Sequence, residues 1–124
     1  MKEYIVDTNI LLRFLLRDVE DQYQKASILF KKASEREVRL LIPQIVIFEV
    51  EFALKKFYNF EKGNVIDKLE SIVSANYLKV EAKEIFLRSL AIYRVRNISF
   101  VDSFLKAYSE AQKAGLMSFD RKIG

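Results

Sequence analysis

Short apolar runs alternate with longer amphipathic stretches along the 124 residues, and this alternation leaves few architectures open. The runs are Tyr4-Ile5-Val6, Val38-Arg39-Leu40-Leu41-Ile42, Tyr77-Leu78-Lys79-Val80 and Leu116-Met117-Ser118-Phe119. Each is about as long as a strand and is bounded by turn or capping residues. The first reads as a buried strand, and Tyr77–Val80 as a short strand or an extended link. Between the runs, apolar residues recur at helical spacing. Helices are expected from Thr8, as cap, to Leu16, and from a capping box at Asp21-Gln22-Tyr23-Gln24 to about Ser34. Pro43 suits the first position of a helix reaching about Tyr58. Further helices follow from a cap at Asn64 to about Ser74, from about Ala82 to Val95, and from Ser99 to near Gly115, which suits the residue after a helix end. Strands alternating with helices predict an α/β fold, a parallel sheet covered by helices. No linker or repeat interrupts the pattern, so one domain over residues 1–124 is expected. Ligands of such sheets gather at the carboxyl ends of strands, and Asp7 and Asp120 each follow a predicted strand.

Two absences narrow the chemistry. Without Cys there are no disulfides, thiolate metal sites or Cys nucleophiles. Without His there is no Ser-His-Asp triad and no imidazole acid–base catalysis. A metal must therefore be held through oxygen, which points to Mg²⁺, Mn²⁺ or Ca²⁺. With 21 Lys and Arg against 17 Asp and Glu, the formal charge of +4 permits a polyanionic partner. The N-terminus meets Glu3 and Asp7 before any signal-peptide core forms. The longest apolar stretch, Leu40 to Phe48, contains Pro43 and Gln44 and falls far short of the ~20 residues of a membrane span. A cytoplasmic protein without a membrane partner is expected.

Four acids stand out, each with an ordinary explanation as well. On a helical wheel of the segment from Gln44 to Tyr58, Gln44, Glu51 and Lys55 share a wet face, and Glu51–Lys55 reads as a surface pair. Val46, Val50, Ala53 and Phe57 form the buried face, with Glu49 at its edge beside Lys56. A carboxylate there is costly unless paired, hydrated or bound to metal. Asp7 either caps a helix or ligates a metal at the sheet edge. Asp102 lies in Ser99-Phe100-Val101-Asp102, a capping-box pattern, with Lys106 four residues on as a partner. Asp120 is a turn residue or the end of a strand.

Taken together, Val6-Asp7-Thr8-Asn9-Ile10-Leu11-Leu12, Pro43 followed by Glu49, Phe100-Val101-Asp102-Ser103-Phe104-Leu105 and Ser118-Phe119-Asp120 resemble the PIN-domain family, specifically the VapC-type toxins of toxin–antitoxin pairs. The resemblance implies an α/β/α sandwich around a parallel sheet, with Asp7, Glu49, Asp102 and Asp120 as catalytic, metal-binding acids for one or two Mg²⁺ or Mn²⁺ ions. Thr8, Asn9 and Ser118 match polar positions that support such pockets. The activity implied is RNA hydrolysis by metal-activated water, with an antitoxin and a second copy of the chain as partners. RNA would be held by basic residues, among them Arg13, Arg17, Lys106, Arg121 and Lys122, with Lys55, Lys56, Arg94 and Arg96 as further candidates. Phe14, Phe57, Tyr58 and Phe60 suit either the core or a protein interface. Two other readings share the fold: a non-catalytic RNA- or protein-binding module, and an RNA-processing nuclease outside toxin–antitoxin systems. A response-regulator receiver domain also alternates strands and helices around an acidic Mg²⁺ pocket. It would want an acid after the Val38–Ile42 strand, where Pro43-Gln44 stands instead.

Overall fold

A computed structural model describes residues 1–123. Nine elements follow in order: β1 (Lys2–Ile5), α1 (Thr8–Leu16), α2 (Glu20–Ser34), β2 (Val38–Ile42), α3 (Gln44–Lys56), α4 (Lys62–Val73), β3 (Leu78–Val80), α5 (Lys83–Val95) and α6 (Phe100–Gln112). The strands form one parallel sheet in the order β1-β2-β3, with Tyr4 opposite Leu40 and Leu40 opposite Leu78. Helical segments of a dozen residues or more join consecutive strands, as parallel pairing requires. The expected α/β architecture of a parallel sheet flanked by helices is the one formed.

The core lies between the sheet and the helices. Leu11, Leu40, Ile47, Leu54, Ile66, Leu69 and Phe86 are fully buried within it. A second packing centre is aromatic. Phe48 of α3 meets Phe86 of α5 at 5.4 Å between ring centroids, and Phe100 and Phe104 of α6 at 5.4 and 5.0 Å. These contacts fix α3, α5 and α6 to one another.

Several local expectations are corrected. β1 is exposed throughout, and only Val6 just beyond it is buried. Cover explains this: α2 packs on β2 and α4 on β3, whereas the main packing partner of β1 is β2. Asp7 rather than Thr8 caps α1: its Oδ1 accepts from the Ile10 N–H at 3.1 Å. α2 begins at Glu20 with Val19 at the cap position and no side-chain cap bond. Pro43 precedes α3 instead of opening it, with ψ of 151°. Glu81 supplies what Pro43 lacks. From just beyond β3, its Oε1 accepts from the Gln44 N–H at 2.8 Å. α4 starts at Lys62, two residues before the expected cap. α6 ends in a left-handed residue at Lys113, φ 54°, not at Gly115.

Leu116–Phe119 forms no strand. Met117 and Phe119 are fully exposed. Local polar chemistry competes with a ladder here: Ser118 Oγ accepts from the Asp120 N–H, and Asp120 Oδ1 accepts from the Lys122 N–H, both at 2.9 Å. The segment is then tied down by buried Ile123 and by Arg96, which donates to the Lys122 carbonyl.

Candidate active site

Strand β1 delivers the chain through Val6, whose N–H donates to the Leu41 carbonyl at 2.9 Å. Asp7 therefore sits at the carboxyl end of the sheet, at the N-terminus of α1, where the helix dipole favours an anion. The next residue reaches across to α3: Thr8 Oγ1 donates to Glu49 Oε1 at 2.6 Å. That bond spans 41 positions of sequence and sets the Glu49 carboxylate beside the Asp7 turn. Asp7, Thr8, Asn9 and Glu49 line an open cleft of about 850 Å³ together with Phe48, Phe52, Phe57, Tyr58 and Val101. Asp7, Asn9 and Glu49 are exposed to it.

Asp102 and Asp120 line a second cavity of about 310 Å³, with Lys55, Lys62, Tyr93 and Lys122. Ser99 caps α6 and accepts from the Asp102 N–H at 3.0 Å, half of the expected capping box. Among the described residues no ion pair joins Asp102 to Lys106. Asp120 reaches this cavity from the turn that it shares with Ser118, not from a strand end.

The two cavities meet at one hydrogen bond. Glu51 lines the first and Tyr93 lines the second, and the Tyr93 hydroxyl donates to Glu51 Oε2 at 3.1 Å. Glu51 was expected on the wet face with Lys55; it is only 8% exposed and makes no such pair. A single-helix wheel cannot show this, because the cover comes from α5. Burial pushes the Glu51 carboxyl above the usual carboxylate range, against the opposing pull of the Tyr93 hydroxyl, Lys55 and Lys56. Burial and the neighbouring Glu51 charge push the Tyr93 phenol up as well. Among the described residues no three acids are grouped closely enough to cage a metal by themselves. The donors nonetheless suit Mg²⁺, which takes oxygen ligands, keeps several waters and commonly uses only one or two carboxylates plus substrate phosphate. Asp7 and Glu49 meet that description.

The basic candidates divide. Arg13 Nη2 donates to the Tyr58 hydroxyl at 2.7 Å and its Nε lies 3.4 Å from Asp18, so this guanidinium is engaged in structure. Arg17 pairs with Glu20 at 3.0 Å and lies over the Tyr23 ring. Arg94 pairs with Asp67 at 2.9 Å. Arg121 is exposed, Lys106 is half-buried, and Lys122 borders the Asp102–Asp120 cavity. Of the aromatic candidates, Phe14 and Phe60 pack against the core, while Phe57 and Tyr58 are exposed.

A model of the PIN domain matches residues 4–124. The chain belongs to the PIN domain family. Its match covers every acid in both cavities. Among curated proteins, a VapC ribonuclease of Aquifex aeolicus (strain VF5) is 28% identical over 122 residues, covering 96% of this chain and 88% of that protein. No helix of this PIN domain is long and apolar enough to cross a membrane among the described residues.

The Glu51–Tyr93 bond makes a stability prediction. Because Glu51 holds its proton to higher pH in the folded state than in the unfolded chain, folding binds protons between the two pKa values. Stability contributed at this position therefore falls as pH rises through that window. Glu51→Gln keeps an acceptor for Tyr93 and carries no charge, so urea unfolding should show its gain over wild type growing from pH 4 to pH 8. Tyr93→Phe removes the donor and should cost about 1–3 kcal/mol at pH 8.

Proposed function

We propose that residues 1–124 form a single metal-dependent endoribonuclease domain of the VapC type, the toxin half of a toxin–antitoxin pair acting in the cytoplasm. The observation that carries this reading is the cleft at the sheet's carboxyl end. Asp7 and Glu49 arrive there from β1 and α3 and are tied through Thr8. The likeness to a VapC ribonuclease over nearly the whole chain supports it. In this proposal Asp7 and Glu49 hold Mg²⁺ or Mn²⁺, and Asp102 and Asp120 act from the adjoining cavity, completing a second site or orienting water. A divalent cation supplies the activated water and offsets charge on the phosphate, functions that a chain without His cannot draw from imidazole. Thr8 orients Glu49, Asn9 borders the same cleft, and Ser118 fixes the turn carrying Asp120. The N-termini of α1 and α6, which carry Asp7 and Asp102, add favourable fields for the phosphate. Lys106, Arg121 and Lys122 remain candidates for the RNA backbone; Arg13 and Arg17 contribute less, being engaged with Tyr58, Asp18 and Glu20. The partners that complete the proposal are RNA, an antitoxin protein and a second copy of the chain.

The test is cleavage of a synthetic single-stranded RNA by the purified chain with Mg²⁺ or Mn²⁺. Cleavage that appears with metal and stops with EDTA is expected. Metal-free cleavage at the same rate, or none under any condition, would sink the reading.

A further inference from the structure

The cleft that holds Asp7 and Glu49 is otherwise largely aromatic and uncovered. Phe52 is 52% exposed, Phe57 72% and Tyr58 37%, and all three line the cleft that holds the two acids. Folding by itself gives no reason to leave three large rings in water at the end of one helix. The rings are not loose. Phe52 and Phe57 meet edge to face at 5.9 Å. Arg13 holds the Tyr58 hydroxyl at 2.7 Å, so that ring is placed before anything binds.

Charge is arranged along the same helix. Glu49, Phe52 and Lys56 stand at positions i, i+3 and i+7 of α3, on one face and about 10 Å from end to end. A carboxylate that would hold metal and an aromatic ring of the cleft are thus followed along α3 by an exposed ammonium. This order suits a single-stranded polyanion that carries flat apolar bases. A second copy of the chain burying Phe57 would also have to cover the adjacent Lys55 and Lys56.

We propose that Phe57, Phe52 and Tyr58 form a stacking subsite for an unpaired base next to the phosphate that a divalent cation at Asp7 and Glu49 would bind, with Lys56 meeting the adjoining phosphate. The subsite rests on the ribonuclease reading and adds to it the rings that would grip a base beside the cut. Sequence-tolerant stacking of this kind is how single strands are gripped without base-edge readout.

The experiment uses the full chain carrying Glu49→Gln to keep RNA uncut. The probe is a single-stranded oligoribonucleotide with 2-aminopurine, whose fluorescence falls when it stacks on an aromatic ring. The parent chain should quench it, and a duplex of the same sequence should not be quenched. Adding Phe57→Ala should weaken binding roughly 5- to 150-fold and abolish the quench, while Phe57→Tyr preserves both. Phe57 lies largely in water, so its removal leaves folding intact, which a melting curve verifies. In the chain with Glu49 restored, Phe57→Ala should raise KM by more than it lowers kcat. The subsite is refuted if Phe57→Ala binds and quenches like its parent while the wild type cleaves RNA. It is equally refuted if Phe57→Ala only converts a dimer to a monomer in sedimentation, which makes the patch an interface between copies. Quenching that depends on Phe57 in a chain that cleaves no RNA with any metal overturns the ribonuclease reading and leaves the subsite standing.

Discussion

Phe86→Ala should bring this protein close to unfolding, at a cost of about 3–5 kcal/mol. Phe86 is fully buried on α5 and its ring lies 5.0 to 6.1 Å from the rings of Phe48, Phe100 and Phe104. Truncation would remove the transfer energy of a whole ring and leave a cavity that the three surrounding rings cannot close without leaving their rotamers. Each lost ring pair adds to the penalty. A domain of this size has a total stability of roughly 5–15 kcal/mol, so the variant retains only part of it. Urea unfolding followed by circular dichroism measures the effect. A functional loss should accompany it, because the same cluster holds α3 with Glu49 against α6 with Asp102. Phe86→Leu, which keeps much of the volume, should lose less than half as much stability.

Glu49→Gln should do the reverse, removing activity and leaving stability alone. The side chain is exposed, and glutamine retains an oxygen that can accept from Thr8 Oγ1. Exposed substitutions of this kind stay within about 0.5 kcal/mol. The amide would lack the charge with which Glu49 is proposed to hold a divalent cation. Cation-based stabilisation of the transition state is worth several kcal/mol, so cleavage should fall about a thousandfold. The measurement pairs initial rates on a synthetic RNA with a thermal melt of the same preparation. A drop in rate with an unchanged melt separates this acid from Glu51, two residues on, whose substitution acts on folding through Tyr93.

The contrast between Glu49 and Glu51 also shows where the sequence is legible. Helical spacing and short apolar runs located β1, β2, β3 and all six helices, because amphipathic patterns are written along one element at a time. The fate of an individual side chain depends on what another element brings to it. Glu51 looked wet beside Lys55, but the hydroxyl of Tyr93, 42 residues away, meets it in the interior. Phe57 looked buried by spacing from Val46, Val50 and Ala53, yet α3 ends before it and the ring projects into solvent. Leu116–Phe119 had the composition of a strand, but Ser118 and Asp120 take up backbone N–H groups in a turn. The same holds for capping. Ser99 was recognisable because its partner is three residues away, whereas Glu81 capping α3 across the sheet has no local pattern. At the site, the acids were picked out by their motifs. Their division between two cavities, with Glu51 and Tyr93 between, emerged only from packing.

One catalytic centre built from both acid pairs requires the two cavities to act together. The decisive measurement is a mutant cycle on kcat/KM for Mg²⁺-dependent RNA cleavage, comparing wild type, Glu49→Gln, Asp102→Asn and the double variant. If the acids act as a unit, each single variant loses most of the activity and the double is scarcely worse than either. If Asp102→Asn cleaves as fast as wild type, Asp102 belongs only to the first turn of α6, and the claim that the two cavities form one centre is wrong.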